Sequence, residues 1–119
     1  MTRDRRRLPD YLDHVVEAID RIQRYCAGMD EAVFVASEVV QDAVIRNLEV
    51  IGEASRNIEH GFPEFAAAHP ELPLAVAYDM RNALSHGYFK VDLRIVWRTV
   101  QRDLAPLRER VVELRAGLS

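Results

Sequence analysis

The apolar residues of this chain repeat at helical spacing from its first third onward. Near the start they recur at alternating steps of three and four, as they do along one face of a helix: Leu12, Val15, Ile19, Ile22 and Cys26. Pro9 and Asp10 suit the first turn of such a helix, and Gly28 suits its end. The pattern therefore predicts a helix from Pro9 or Asp10 to about Ala27, with this face buried.

A wider apolar stripe predicts a long second helix. Ser37 is a candidate N-cap, and the stripe continues to about Ile58 through Val40, Ala43, Val44, Leu48, Ile51 and Ala54. Gly52 in its interior costs about 1 kcal/mol relative to alanine, which indicates close approach by another backbone, within the bundle or across a dimer interface. Residues 29–36 fit either a short extended piece or the first turn of this helix.

The second half of the chain predicts two further helices. Glycine and proline interrupt residues 59–73, where a short helical turn is expected at 64–68. A third helix is predicted to start near Pro73 and to carry Met80 inward.

The last predicted helix begins near Asp92, and Pro106 predicts a kink in it near Arg102. Its apolar seam is Trp97, Val100, Leu104, Leu107, Val111, Leu114 and Leu118. Together these patterns predict an all-α, up-down bundle of four to five helices.

Length and composition limit the class of protein. With 119 residues, 49% of them hydrophobic, the chain suits one domain over residues 1–119. No apolar run approaches the roughly 18 to 20 residues that cross a bilayer, and no signal-peptide core follows the start, so we expect a cytoplasmic protein. The single cysteine, Cys26, excludes an internal disulfide and a cysteine-only metal cluster, and is expected in the core.

The distribution of charge is more informative than its total. A net charge of −3 lacks the strongly basic balance usual in nucleic-acid-binding domains. The cations are nearly all arginine, however, and Arg94, Arg98 and Arg102 recur every four residues on the last predicted helix. Arginine grips phosphate through a planar fork. These arginines form either a solvated face paired with acidic groups elsewhere or a track for an RNA backbone.

Residues 81–89 combine groups that suit phosphate chemistry. Arg81 and His86 lie roughly 140° apart on an ideal helix, so both meet one phosphate only if the helix ends near His86 or two subunits contribute. Gly87 favours the first arrangement, because glycine readily takes the left-handed conformation that ends helices. His86 would then lie at the negative end of the helix dipole, and an imidazole suits proton transfer at cellular pH.

The spacing Arg81-x4-His86-x-Tyr88, with Asn82 directly after the arginine, resembles the R-x4-H-x-Y motif of the HepT-like toxins. These are minimal members of the HEPN (higher eukaryote and prokaryote nucleotide-binding) superfamily. The resemblance extends over most of the chain and includes Ile51-Gly52-Glu53-Ala54 on the second helix and Val96-Trp97 on the last. It implies a HEPN-like helical bundle.

The resemblance also implies an activity, that of a metal-independent endoribonuclease acting as the toxin of a type VII-like toxin–antitoxin system. Arg81 would hold the scissile phosphate and stabilise its developing charge. His86 would act as general acid or base and leave a 2′,3′-cyclic phosphate end, and Asn82 would support the site. No metal and no cofactor are implied, because a guanidinium and an imidazole can do this work.

The implied partners are RNA, a second copy of the chain and an antitoxin. In this family a minimal nucleotidyltransferase antitoxin attaches AMP to the tyrosine that corresponds to Tyr88, and two motifs face one groove of a homodimer. Two alternatives stay open. One is a non-catalytic HEPN interaction or nucleotide-binding module that partners a nucleotidyltransferase. The other is a helical scaffold in which Arg81 pairs with Asp79 or Glu71 and Tyr88 is a core ring.

Overall fold

The chain is helical throughout the part that the computed structural model describes, which is residues 7–70, 80 and 92–118. Six helices and no strand occur there: α1 Arg7–Tyr25, α2 Glu31–Ala36, α3 Glu38–Gly61, α4 Pro63–Ala68, α5 Leu93–Arg102 and α6 Leu104–Ala116. The all-α prediction is confirmed. The predicted third helix, apart from Met80, lies outside the described residues. None of the described helices is long and apolar enough to cross a membrane.

The core forms where α1 packs between α3 and α6. The face of α1 predicted to be buried is so, with Leu12, Val15, Ile19 and Ile22 fully inaccessible. Burying each such side chain stabilises the fold by about 1.5–3 kcal/mol. The Tyr11 ring lies 6.3 Å from the Phe62 ring, centroid to centroid, so the start of α1 meets the end of α3. The two helices are therefore antiparallel.

Two ion pairs set the register between α1 and α6. Arg108 Nε donates to Asp20 Oδ1 at 2.6 Å, and Arg115 Nε donates to Asp13 Oδ1 at 3.0 Å. The hydrogen bond to Asp20 raises the pKa of Arg108. All four side chains are partly exposed, and such pairs contribute about 0.2–1 kcal/mol each. Asp13 and Asp20 lie seven residues apart on α1, and their partners Arg115 and Arg108 lie seven residues apart on α6 in the reverse order along the chain. The two helices therefore run antiparallel.

Both interpretations of residues 29–36 are wrong, because these residues contain a separate short helix, which ends before α3 begins. Asp30 caps α2 by accepting the backbone N–H of Val33 at 2.9 Å, and Phe34 is fully buried. Ser37 occupies the predicted N-cap of α3, but its side chain makes no capping hydrogen bond. Gln41 Nε2 instead donates to the Phe34 carbonyl at 2.9 Å and so satisfies the end of α2.

The predicted kink near Arg102 is confirmed as a break between α5 and α6. Pro106 is the third residue of α6, and its ring nitrogen cannot donate to the carbonyl of Arg102. The apolar seam crosses the break, and its central members are buried: Val100, Leu104, Leu107 and Val111. The prediction that Leu118 ends this buried seam is wrong. Leu118 lies beyond the end of α6 and is 38% exposed.

Candidate functional site

The four residues predicted to carry the chemistry and its control, Arg81, Asn82, His86 and Tyr88, lie outside the described residues. Both flanks of their segment are described. Met80, directly before Arg81, is helical, half-buried and packed against the core. The segment is followed by Asp92, which caps α5. The core therefore holds the chain immediately before the motif, and a regular helix begins immediately after it.

The orientation of α5 is determined by its cap and its inner face. Asp92 Oδ1 accepts the Arg94 backbone N–H at 2.9 Å. Val96 and Val100 are buried one turn apart. The Trp97 ring packs 5.2 Å from the Phe34 ring, with the two planes tilted by 34°. These contacts hold one face of α5 against the bundle and leave the opposite face in solvent.

That solvent face carries the α5 arginine stripe, which consists of Arg94, Arg98 and Arg102. All three are exposed, and successive members are separated by about 6 Å along the helix axis. Within the described chain none of them forms an ion pair. Arg108 and Arg115 on α6, in contrast, are both paired with aspartates of α1. The interpretation of the stripe as a face paired with acidic groups thus finds no support among the described residues.

A second polar feature is a groove of about 370 Å³ between α1 and α3. His14 of α1 lines it together with Arg46, Glu49, Glu53 and Asn57 of α3. No local spacing in the sequence connects these residues, because His14 and the two glutamates belong to different helices. No group of three or more histidine, cysteine or acidic side chains in the described part of the chain is arranged to hold a metal ion.

Comparison with known proteins connects these features to one family. The family model described as ribonuclease HepT-like matches residues 15–114. The chain belongs to the HepT-like ribonuclease family. The match includes Met80, the whole of the predicted motif and the α5 arginine stripe. The all-α architecture agrees with the HEPN-like fold expected of this family.

Individual relatives support the assignment over nearly the full chain. A probable ribonuclease HepT of Thermococcus cleftensis is 41% identical over 106 residues, covering 89% of this chain and 94% of the relative. A putative RNase of Caldanaerobacter subterraneus is 33% identical over 104 residues, covering 87% and 90%. A gamma-glutamylcyclotransferase and putative RNase of Methanocaldococcus jannaschii is 36% identical over 108 residues, covering 91% of this chain and 47% of that protein. No solved structure matches the chain.

Proposed function

We propose that this HepT-like chain is a metal-independent endoribonuclease and the toxin of a type VII-like toxin–antitoxin system. The observation that carries the proposal is the family match over residues 15–114, which contain Arg81, Asn82, His86 and Tyr88 at the motif spacing. On this proposal residues 1–119 form one HEPN-like domain that acts on RNA in the cytoplasm.

The proposed reaction is a transesterification within the RNA backbone. The ribose 2′-hydroxyl attacks the adjacent phosphorus, the bond from phosphorus to the 5′-oxygen breaks, and a 2′,3′-cyclic phosphate and a 5′-hydroxyl result. His86 moves a proton, either from the attacking hydroxyl or to the leaving oxygen. Arg81 binds the phosphate and stabilises the charge that develops on its oxygens. Asn82 supports the arrangement as a polar neighbour.

The α5 arginine stripe supports the proposal by supplying phosphate contacts next to the motif. Arg94 lies two residues beyond Asp92, where α5 begins, and the stripe continues away from that end for two further turns. Guanidinium groups held on a rigid helix bind RNA phosphates without sequence preference. The stripe would therefore hold the substrate while Arg81 and His86 act on one phosphate.

The proposed control is adenylylation of Tyr88 by a nucleotidyltransferase antitoxin. Each AMP adds bulk and negative charge two residues from His86, where the RNA phosphate must enter, so cleavage should fall. Intact-mass measurement after co-expression with a nucleotidyltransferase encoded beside this chain tests the idea. Added AMP mapped to Tyr88, and absent from Tyr88→Phe, supports it. Full neutralisation with an unmodified mass would indicate steric inhibition instead.

The proposed assembly is a homodimer in which two motifs face one groove. A mixing experiment tests whether the partner completes each site. Arg81→Ala and His86→Ala chains are inactive alone, but random pairing would restore about a quarter of the wild-type rate if each site takes its arginine and histidine from different subunits. Failure to recover any activity in verified mixed dimers would place both residues of a site in one subunit.

The decisive experiment combines expression with cleavage. Wild-type expression without a partner should arrest growth, and His86→Ala should relieve the arrest. The purified chain should cleave RNA in the presence of EDTA and leave cyclic phosphate ends. Cleavage abolished by EDTA would overturn metal independence. Harmless expression, with RNA or nucleotide binding but no cleavage, would favour the alternative of a non-catalytic HEPN module that partners a nucleotidyltransferase.

A further inference from the structure

The groove between α1 and α3 has the size and lining of a ligand-binding site. Its volume of about 370 Å³ lies in the range of small-molecule sites, which is about 300–1,000 Å³. Ala54 is buried and Val50 is half-buried, and both offer apolar surface to a ligand. The polar side chains beside them follow one another at steps of three and four residues on one face of α3: Arg46, Glu49, Glu53 and Asn57. The groove therefore has room for one nucleoside-sized ligand.

One end of the groove brings side chains of both helices together. The Tyr11 ring contacts the Phe62 ring, so His14, three residues after Tyr11, is level with the last turn of the antiparallel α3. Asn57 lies directly before that turn, and Glu53 lies one turn earlier on the same face. The Tyr11 ring also meets the His14 ring edge-on, with centroids 6.4 Å apart, and so limits the orientation of the imidazole. An imidazole on α1 and a carboxamide and a carboxylate on α3 thus line the same end of the groove.

The charges of the groove favour a nucleobase over a phosphate at this end. The carboxylates of Glu49 and Glu53 outnumber the guanidinium of Arg46, which lies about 10 Å from Glu53 along the helix axis. Carboxylates repel phosphate and accept hydrogen bonds from N–H groups. Among the four RNA bases, guanine alone presents two adjacent N–H donors, at N1 and N2, on its pairing edge, and these fit the two oxygens of one carboxylate. The guanine O6 beside them accepts from an amide N–H.

We propose that the groove binds a guanine nucleotide of the RNA substrate. Glu53 accepts the hydrogen bonds from N1 and N2, Asn57 donates to O6, and the His14 ring stacks on the face of the base. Glu49, one turn nearer to Arg46, accepts from the ribose 2′-hydroxyl, and Arg46 binds the adjoining phosphate. The order of these side chains along α3 then matches the order of base, ribose and phosphate in one nucleotide. The inference rests on the proposed function, because it takes the bound ligand to be RNA.

The test measures how RNA affinity depends on a single guanine, with the full chain carrying His86→Ala to prevent cleavage. Oligouridines of one length carry one guanine at successive positions, and the affinity of each is compared with that of oligouridine alone. We expect binding about tenfold tighter at one position of the guanine. Inosine there lacks the N2 amino group and 2′-deoxyguanosine lacks the hydroxyl, so each should lose part of the gain. Equal affinities at all positions, or a greater gain from adenine or cytosine, would overturn the guanine site.

Variants identify the side chains that read the base. Glu53→Gln replaces an acceptor oxygen with an N–H donor and should abolish the guanine preference, and Asn57→Asp should do so because its carboxylate repels O6. Unchanged binding of oligouridine shows that each variant is folded. Glu38→Gln neutralises an exposed carboxylate in the first turn of α3, away from the groove, and should keep the preference. A preference that survives both groove changes overturns the site.

A free guanine nucleotide presents the same base, ribose and phosphate as the RNA. GMP should bind more than about tenfold more weakly than the guanine-containing oligonucleotide, because it makes no contact with the α5 arginine stripe. Equal affinity of the two would indicate a site for a free nucleotide and overturn its role in RNA binding. A chain that binds none of the oligonucleotides refutes the RNA binding on which the inference rests, whereas binding without a guanine preference refutes the guanine site alone.

Discussion

Phe34 of α2 packs against Trp97 of α5 with ring centroids 5.2 Å apart, and this contact joins the short helix after α1 to the helix that carries the arginine stripe. Phe34 is fully buried and Trp97 is half-buried. The buried ring lies in a helix of only six residues, which has too few backbone hydrogen bonds to be stable alone. The packing of Phe34 therefore holds α2 in place and helps to orient α5.

Phe34→Ala should destabilise the fold by about 3–5 kcal/mol, because it removes a large side chain from a closed core. Chemical denaturation followed by circular dichroism measures the effect. Val33→Ala is the matched control, since Val33 precedes Phe34 on the same helix but is 48% exposed. It should change the free energy of unfolding by no more than about 0.5 kcal/mol. Equal stabilities of the two variants would show that Phe34 does not anchor α2.

Gly28 ends the first helical segment in a conformation that other residues disfavour. Its φ is +77°, and a Cβ there would meet no atom within 4 Å, so only the backbone conformation opposes a substitution. Gly28→Ala should therefore cost about 1–2 kcal/mol in the free energy of unfolding. Gly117→Ala is the control, because Gly117 has φ −73° and an added Cβ would make only ordinary contacts. That change should be neutral or slightly stabilising, and a loss equal to that at Gly28 would contradict the explanation.

The sequence predicted the structure correctly where a local pattern or a single residue determines it. The buried face of α1, the glycine that follows it and the break before Pro106 were all predicted, because each depends on a local spacing or on the backbone limits of one residue. For the N-cap of α3, the position of Ser37 was predicted correctly, but its side chain makes no capping hydrogen bond. The side chain that satisfies the neighbouring carbonyls is Gln41, seven residues from Phe34, and no local capping rule identifies it.

Features that depend on contacts between separate helices could not be predicted from local sequence patterns. A six-residue helix shows less than two turns of periodicity, so α2 could not be told from an extended piece. The groove between His14 and α3 depends on the antiparallel packing of two helices. The roles of Arg81, Asn82, His86 and Tyr88, in turn, stay predictions drawn from their spacing and the family resemblance.

Cys26 should be slow to react in the folded protein. It is 7% exposed, and burial raises the pKa of its thiol, which keeps the thiol protonated and unreactive at neutral pH. Labelling with a chromogenic disulfide should be slow for the native chain and fast in denaturant. Because the folded state holds this proton more firmly than the unfolded state, the associated stability is present below the ordinary thiol pKa and lost as the pH rises above it. Cys26→Ala should remove this loss of stability at alkaline pH. If the variant loses as much stability as the wild type, other titrating groups cause the loss.

The α5 arginine stripe makes the most direct prediction about RNA. Each phosphate contact releases a condensed counterion, so the logarithm of the affinity for single-stranded RNA should fall with the logarithm of salt concentration by about 0.7 per contact. Arg94→Gln, Arg98→Gln and Arg102→Gln should each weaken binding and reduce that slope by about 0.7, with little dependence on RNA sequence. Arg56→Gln, at an exposed position of α3, is the charge-matched control. A slope reduced equally by all four changes would indicate diffuse attraction, whereas a slope reduced only by the α5 changes would identify the helix after the motif as the path of the RNA backbone.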